Sequence, residues 1–401
     1  MIPVARTKIP ALTGLRAVAA FWVLMLHFGD AVTAGWPLAF RRIFSGGFIG
    51  VDLFFVLSGF ILSWNYLGGD RGLTCSRADF WRARAARILP LYYGSLALAL
   101  PLFLLLQFQQ GITPEAIRSA LSTAATTLAL LQSWARPVSI PWNNPAWSLS
   151  VEVSLYLSFP FLAAWMSRKP ARKQARKPLH RVLQITAVTY GATVLGAIAF
   201  AAFHSHPSVW KWEPAQDPSV WIPWLCCNPL VHFHELLLGC VAYLCLREEQ
   251  TGARKEWMAG PKAVWISSVA MIILLVWRGP IPFTAALVGI YSPLFALLIY
   301  GLAKQRGLAA RILSTPALVF LGEISFALYL THLTVWSNME GFNMEHSYIR
   351  QDSALNFLVC LSLSLAIATI FYKFIEVPYR KTLRKRWKTT RNIPVPDLCE
   401  S

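Results

Sequence analysis

The chain has 401 residues, 56% of them hydrophobic and only 14% charged, with 17 Trp and a mean hydropathy of +0.48. This much apolar surface excludes a soluble globular enzyme, and no polar stretch is long enough to fold as a soluble catalytic domain. The formal net charge of +18 does not point to nucleic acid, because Lys and Arg are concentrated in loops and tails between apolar runs rather than on a polar domain.

The apolar runs are near 20 residues long and bounded by Gly, Pro or basic clusters, matching the hydrocarbon thickness that one helix must cross. They predict an all-α polytopic membrane bundle with about ten transmembrane helices. The spans lie near 10–28, 47–66, 88–107, 147–166, 181–203, 228–246, 262–277, 283–303, 317–337 and 354–375. The first could serve as a signal peptide, with Arg6 and Lys8 before it and "AVTAG" after it. Retention as a span is preferred, because an apolar signal core rarely carries Arg and His.

Residues 119–134, "SALSTAATTLALLQSW", are short for a crossing, and counting them as one would place the most basic loop outside. They are expected to form a re-entrant or half-buried helix on the outer side, where protein covers them. The remaining loops then sort by sign. "RGLTCSRADFWRARAAR", "SRKPARKQARKPLHR", "REEQTGARKEW", "AKQRGLAAR" and the tail "YRKTLRKRWKTTR" fall on one side. The positive-inside rule makes that side cytoplasmic, with both termini, in the cell membrane.

The seven cysteines form no metal-ligand spacing and no disulfide framework, so no metal is expected. The chemical signal is polar residues inside the spans. In "GLRAVAAFWVLMLHF" (14–28), Arg16 and His27 are 11 residues apart, a helical rotation about 20° past three turns, so they share one face roughly 16 Å apart along the axis. An intramembrane arginine must face protein or water, which turns this stripe toward the bundle interior. A bland alternative is a snorkelling Arg16 and an interfacial His27, with Asp30 as a helix terminator.

Four further stretches repeat the pattern. "GGFIGVDLFFVLSGF" carries Asp52, and "PAWSLSVEVSLYLSFP" carries Glu152 with Ser148 and Tyr156 one turn away. "NPLVHFHELLLG" carries His232, His234 and Glu235, and "GEISFALYLTHL" carries Glu323 and His332. Together they imply a polar cavity in the outer half of the bundle.

With "FWRARAARILPLYY" and "FIEVPYRK", these stretches follow the order seen in the integral-membrane acyltransferase-3 family, which the chain resembles over residues 12–381. The resemblance implies a membrane domain over 1–381, with a basic tail at 382–401. It also implies an O-acyltransferase moving an acetyl or short acyl group from acyl-CoA, a co-substrate rather than a bound cofactor, to a hydroxyl of a carbohydrate. It casts His27 as catalytic, with Arg16 along the donor route, and makes Arg84 and Arg87 donor-binding. Asp30, Asp52, Glu152, His232 and His332 are candidate supports of the site. Where the family pattern leads one to expect a basic residue in the "NPL" helix, this chain has His232.

For Glu152, His332 and Glu323 the competing role is helix-to-helix hydrogen bonding, and Glu376 reads as a helix-end anchor. The segment 209–224, "VWKWEPAQDPSVWIPW", could stack on a sugar face. Two alternatives stay open: an O-acyltransferase of a soluble small molecule such as a macrolide, and a proton-coupled transporter.

Overall fold

The computed structural model describes residues 8–68, 72–135, 141–167, 178–203, 227–278, 281–346 and 353–382. The aromatic segment 209–224 and nearly all of the basic tail lie outside them. The described chain is a bundle of helices, as expected. In order these are α1 (Pro10–Phe28), α2 (Asp30–Thr33), α3 (Leu38–Ser45), α4 (Ile49–Tyr66), α5 (Arg77–Phe108), α6 (Pro114–Leu128), α7 (Trp147–Met166) and α8 (Pro178–Phe203). They are followed by α9 (Phe233–Gln250), α10 (Gly260–Trp277), α11 (Phe283–Leu287), α12 (Ser292–Ala303), α13 (Leu308–Leu313), α14 (Pro316–His346) and α15 (Ala354–Phe371).

Among the described residues nine helical segments are long and apolar enough to cross a bilayer, with α11 and α12 together forming one of them. The tenth expected span, α9, is 18 residues long but carries Glu235, Arg247, Glu248 and Glu249. It packs closely on α4, with Glu235 fully buried at one end and Arg247, Glu248 and Glu249 half-buried at the other.

Two boundaries differ from expectation. α5 begins at Arg77, where the Ser76 hydroxyl caps the Asp79 amide (3.1 Å), so Arg84 and Arg87 stand on the helix rather than in a loop leading to it. α14 runs to His346 instead of ending near 337; beyond that point the chain has no Pro or helix-ending Gly motif to stop it, and Trp336 donates to Glu340 one turn on (2.7 Å).

The short segment after α5 turns back along it, with only Thr123 and Thr127 of its helix buried. Thr113 caps α6 and Pro114 starts it, earlier than the expected 119, and the helix ends at Leu128 before a left-handed turn at Leu130 (φ 59°). Its last turn accepts hydrogen bonds from Tyr92 and Tyr93, halfway along α5, while Trp142 stacks on Phe103 and donates to the Leu96 carbonyl. The chain therefore dips in beside α5 and is next found nearer the end by which it entered.

α4 and α9 touch backbone to backbone. A Cβ on Gly59 would stand 2.1 Å from the Leu236 carbonyl oxygen, and one on Gly239 2.1 Å from that of Val56. Gly239→Ala is expected to destabilise the protein by about 1–3 kcal/mol through overpacking. Thermal unfolding of the detergent-solubilised variant checks this; an unchanged midpoint contradicts the close approach.

The two ends of the bundle differ in charge. Lys8, Arg77, Arg247, Lys262, Lys304 and Arg311 lie at helix ends that converge on the Arg16 end of α1, linked by contacts such as Gly14 with Leu313 and Lys304 with Glu249. Burial opposes the charge of Lys304, but its bonds to Glu249 (2.8 Å) and Glu256 (2.9 Å) hold the ammonium above the usual lysine range.

Candidate active site

α1 is one unbroken helix, and its Arg16 and His27 open into two different hollows of the bundle. The first is a recess of about 1220 Å³ counted to its open mouth, lined by α1, α4, α5, α7 and α14. Its cations are Lys8, Arg16, Arg84 and Arg87, against the one carboxylate of Glu152. Four cations around an open recess give it a positive potential that attracts anions.

Glu152 is held in place by two neighbours: Ser58 on α4 donates to Oε1 (3.0 Å), and so does Tyr156 one turn on. It thus ties α4 to α7 while facing the recess. Glu323 serves as helix glue, accepting from Tyr372 (3.1 Å); Glu376, expected to anchor a helix end, instead lies inside a helical run that continues to Thr382 and accepts from Arg380 (3.0 Å).

Arg84 and Arg87, equivalent in sequence, are not equivalent in space. Arg84 is buried (4% exposed), donates to the Tyr66 hydroxyl (2.8 Å) and lies against the rings of Tyr66 and Tyr156 at 5.1 and 5.7 Å. Arg87 is only half-buried and lines the recess wall.

The second hollow, of about 660 Å³, holds His27, Asp52, His332, Asn144, Trp147 and Tyr329 among apolar neighbours. The rings of His27 and His332 lie 5.4 Å apart, and Phe28 next to His27 stacks on Trp336 at 3.7 Å. His332 donates from Nδ1 to the Tyr329 carbonyl (2.7 Å), a bond that leaves Nε2 as the lone-pair nitrogen. That Nε2 is buried and without a hydrogen-bond partner. His27 is open to the cavity. The arrangement offers one accessible imidazole to take a proton and a second, fixed one beside it.

Of the two carboxylates considered as partners for His27, Asp52 lines the same cavity, whereas Asp30 is exposed on α2 and does not. His232 lines neither hollow: it is buried at the start of α9 with its ring near Phe55 and Trp147 (5.0 and 5.9 Å). Val51 and Tyr329 line both hollows and stand between them. The helical arithmetic on Arg16 and His27 therefore describes a real shared face that runs from one chamber to the next.

Sequence reading missed Tyr329, Asn144 and Trp147. Asn144 sits in the turn Asn144–Ala146, which is pinned by its neighbour: the Asn143 amide donates to Ser95 Oγ (3.1 Å) and the Leu330 carbonyl (3.0 Å). The available signal was the Asn-Asn-Pro run directly before a membrane helix, a turn pattern placed where a span must begin. Tyr329 lies three residues before His332 on α14 and could have been found by helical spacing.

A polytopic helical membrane protein with an intramembrane histidine cavity and an adjoining cationic recess defines a membrane enzyme class rather than a soluble one. The profile of the acyltransferase-3 family, described as an acyltransferase domain, matches residues 9–373, and the chain belongs to that family. It is similar to acyltransferase MdmB of Streptomyces mycarofaciens, 29% identical over 96% of this chain and 95% of that one. It is also similar to O-acetyltransferase OatA of Staphylococcus aureus, 24% identical over 93% of this chain, which spans 57% of OatA's length. No solved structure matches. The protein is an acyltransferase, and the transporter alternative falls.

Proposed function

We propose that this protein is a membrane O-acyltransferase that moves an acetyl or other short acyl group from acyl-CoA to a carbohydrate hydroxyl. The observation that carries the reading is the pair of neighbouring chambers that share Val51 and Tyr329 as wall residues, cationic around Arg16 and histidine-bearing around His27. The phosphates of acyl-CoA bind at the recess, where Arg87 offers a guanidinium fork. The pantetheine arm runs past Arg16 and brings the thioester to the boundary between the chambers.

His27 takes the proton of the acceptor hydroxyl, the oxygen attacks the thioester carbonyl, and the collapsing intermediate expels the CoA thiolate, which regains a proton. Trp147 offers a flat face to a sugar ring in the same cavity. The recess faces the cytoplasm, because the basic helix ends gather on its side and acyl-CoA is a cytoplasmic anion.

A second acceptor reading has its own support: Val23, Leu26, Phe48, Leu287 and Leu333 make the histidine cavity largely apolar. This suits a soluble small molecule with an apolar body and one reactive hydroxyl, such as a macrolide. Purified protein in liposomes, given labelled acetyl-CoA and a panel of sugars, lipid-linked sugars and macrolides, is expected to label a carbohydrate hydroxyl. Labelling of macrolides alone selects the second reading, and labelling of no hydroxyl compound with any acyl-CoA overturns both.

A further inference from the structure

The wall of the histidine cavity at Asp52 backs onto a cluster to which the steps proposed above assign no role. Asp52 on α4 and Glu235 on α9 face each other within hydrogen-bonding reach, at 3% and 0% exposure. His232 Nδ1 stands 3.1 Å from Glu235 Oε2, and one donor atom each from Asp52, His232 and Glu235 lie within 4.8 Å of one another. Two carboxylates this close and this deep cannot both stay charged without a cation between them.

A shared proton neutralises only one of the pair. Asp52 Oδ2 is buried and accepts no hydrogen bond from a neighbouring donor. A divalent ion neutralises both carboxylates and gives that oxygen a bond. One pair already stands at ligand spacing: ligands at about 2.0–2.1 Å from Zn²⁺ stand about 2.9–3.4 Å apart for angles between a right angle and tetrahedral, and the His232–Glu235 separation is 3.1 Å.

The surroundings are built like a ligand shell. Ser292 donates to the other oxygen of Glu235 (3.1 Å), orienting the carboxylate. His234 fixes its ring by donating from Nδ1 to the Val231 carbonyl (2.8 Å), which leaves Nε2 4.0 Å from Glu235 Oε1 as a reserve donor. The break between α11 and α12 turns at Gly289 (φ +84°), where a Cβ would stand 2.3 Å from Glu235 Oε1 and 2.9 Å from His234 Nε2. A side chain there would fill the cluster.

We propose that Asp52, His232 and Glu235 form a buried divalent-cation site, suited to Zn²⁺ by its mixed imidazole and carboxylate donors, which clamps α4 to α9 behind the active-site cavity. The expectation of no metal rested on cysteine spacing, and the third ligand, Asp52, comes from a distant part of the chain. The site stands whether or not the acyl donor and acceptor are those proposed above.

The test is the metal content of the full-length protein, purified in detergent from zinc-supplemented cells, passed over chelating resin and measured by inductively coupled plasma mass spectrometry. About one zinc per chain is expected for the wild type, and under a tenth of that for Asp52→Asn/Glu235→Gln. His232→Arg supplies a fixed positive charge to the same carboxylates. It is expected to elute as a folded species without zinc, and to lose the fall in melting temperature that a chelator causes in the wild type. A metal-free wild type overturns the proposal, as does zinc retained in full by either variant.

Discussion

His27→Ala is expected to lower kcat for acyl transfer by roughly 10²–10⁴-fold while leaving the KM for acyl-CoA nearly unchanged. The split follows from the geometry. His27 opens into the cavity proposed to take the acceptor hydroxyl, whereas the cations proposed to hold the donor line the other chamber. His27→Gln keeps a polar side chain at that position but accepts no proton at neutral pH, so it is expected to be as inactive as the alanine variant. Single-turnover transfer from labelled acyl-CoA in liposomes measures both. Wild-type turnover by His27→Ala ends this mechanism; recovery of activity in His27→Gln reduces the residue to a positioning role.

Arg87→Ala is expected to raise the KM for acyl-CoA by tenfold to about a hundredfold, the worth of one charge-assisted hydrogen bond at about 1.5–3 kcal/mol, with little change in kcat or in melting temperature. Arg84→Ala is expected to behave differently. Its guanidinium is spent on the Tyr66 hydroxyl and on two aromatic faces, so the loss falls on stability, at about 2–3 kcal/mol. Binding of acyl-CoA by isothermal calorimetry, set beside thermal unfolding, separates the two. Equal effects of the two substitutions on donor affinity, at equal stability, contradict the division of roles drawn from burial.

The contrast between these arginines shows where sequence reading stops. Arg-x-x-Arg places both residues within one turn of a helix, and spacing alone assigns them one job. Which of the two meets Tyr66 and Tyr156 depends on how α5 is rotated against α4 and α7, and no local pattern in α5 encodes that rotation. The same limit explains Asp30 and Asp52. Both are candidate supports by sequence, but the chain turns at Gly29 and leaves Asp30 exposed on α2, whereas Asp52 arrives in the cavity on a neighbouring helix.

What the sequence by itself determined is everything that depends on the membrane and on helical periodicity. Apolar runs near the bilayer thickness specify the spans, the sign of the loops sorts the helix ends, and a step of 11 residues puts Arg16 and His27 on one face. The ordered motifs specify the family. Only the tertiary structure decided that this face borders two chambers, that Tyr329 and Val51 stand between them, and that Asp52, His232 and Glu235 meet. Hydropathy and helical spacing act within one helix, over a few turns. The chambers and the carboxylate cluster arise from close packing between helices far apart in the chain, such as α4 against α9, where glycines let the backbones touch.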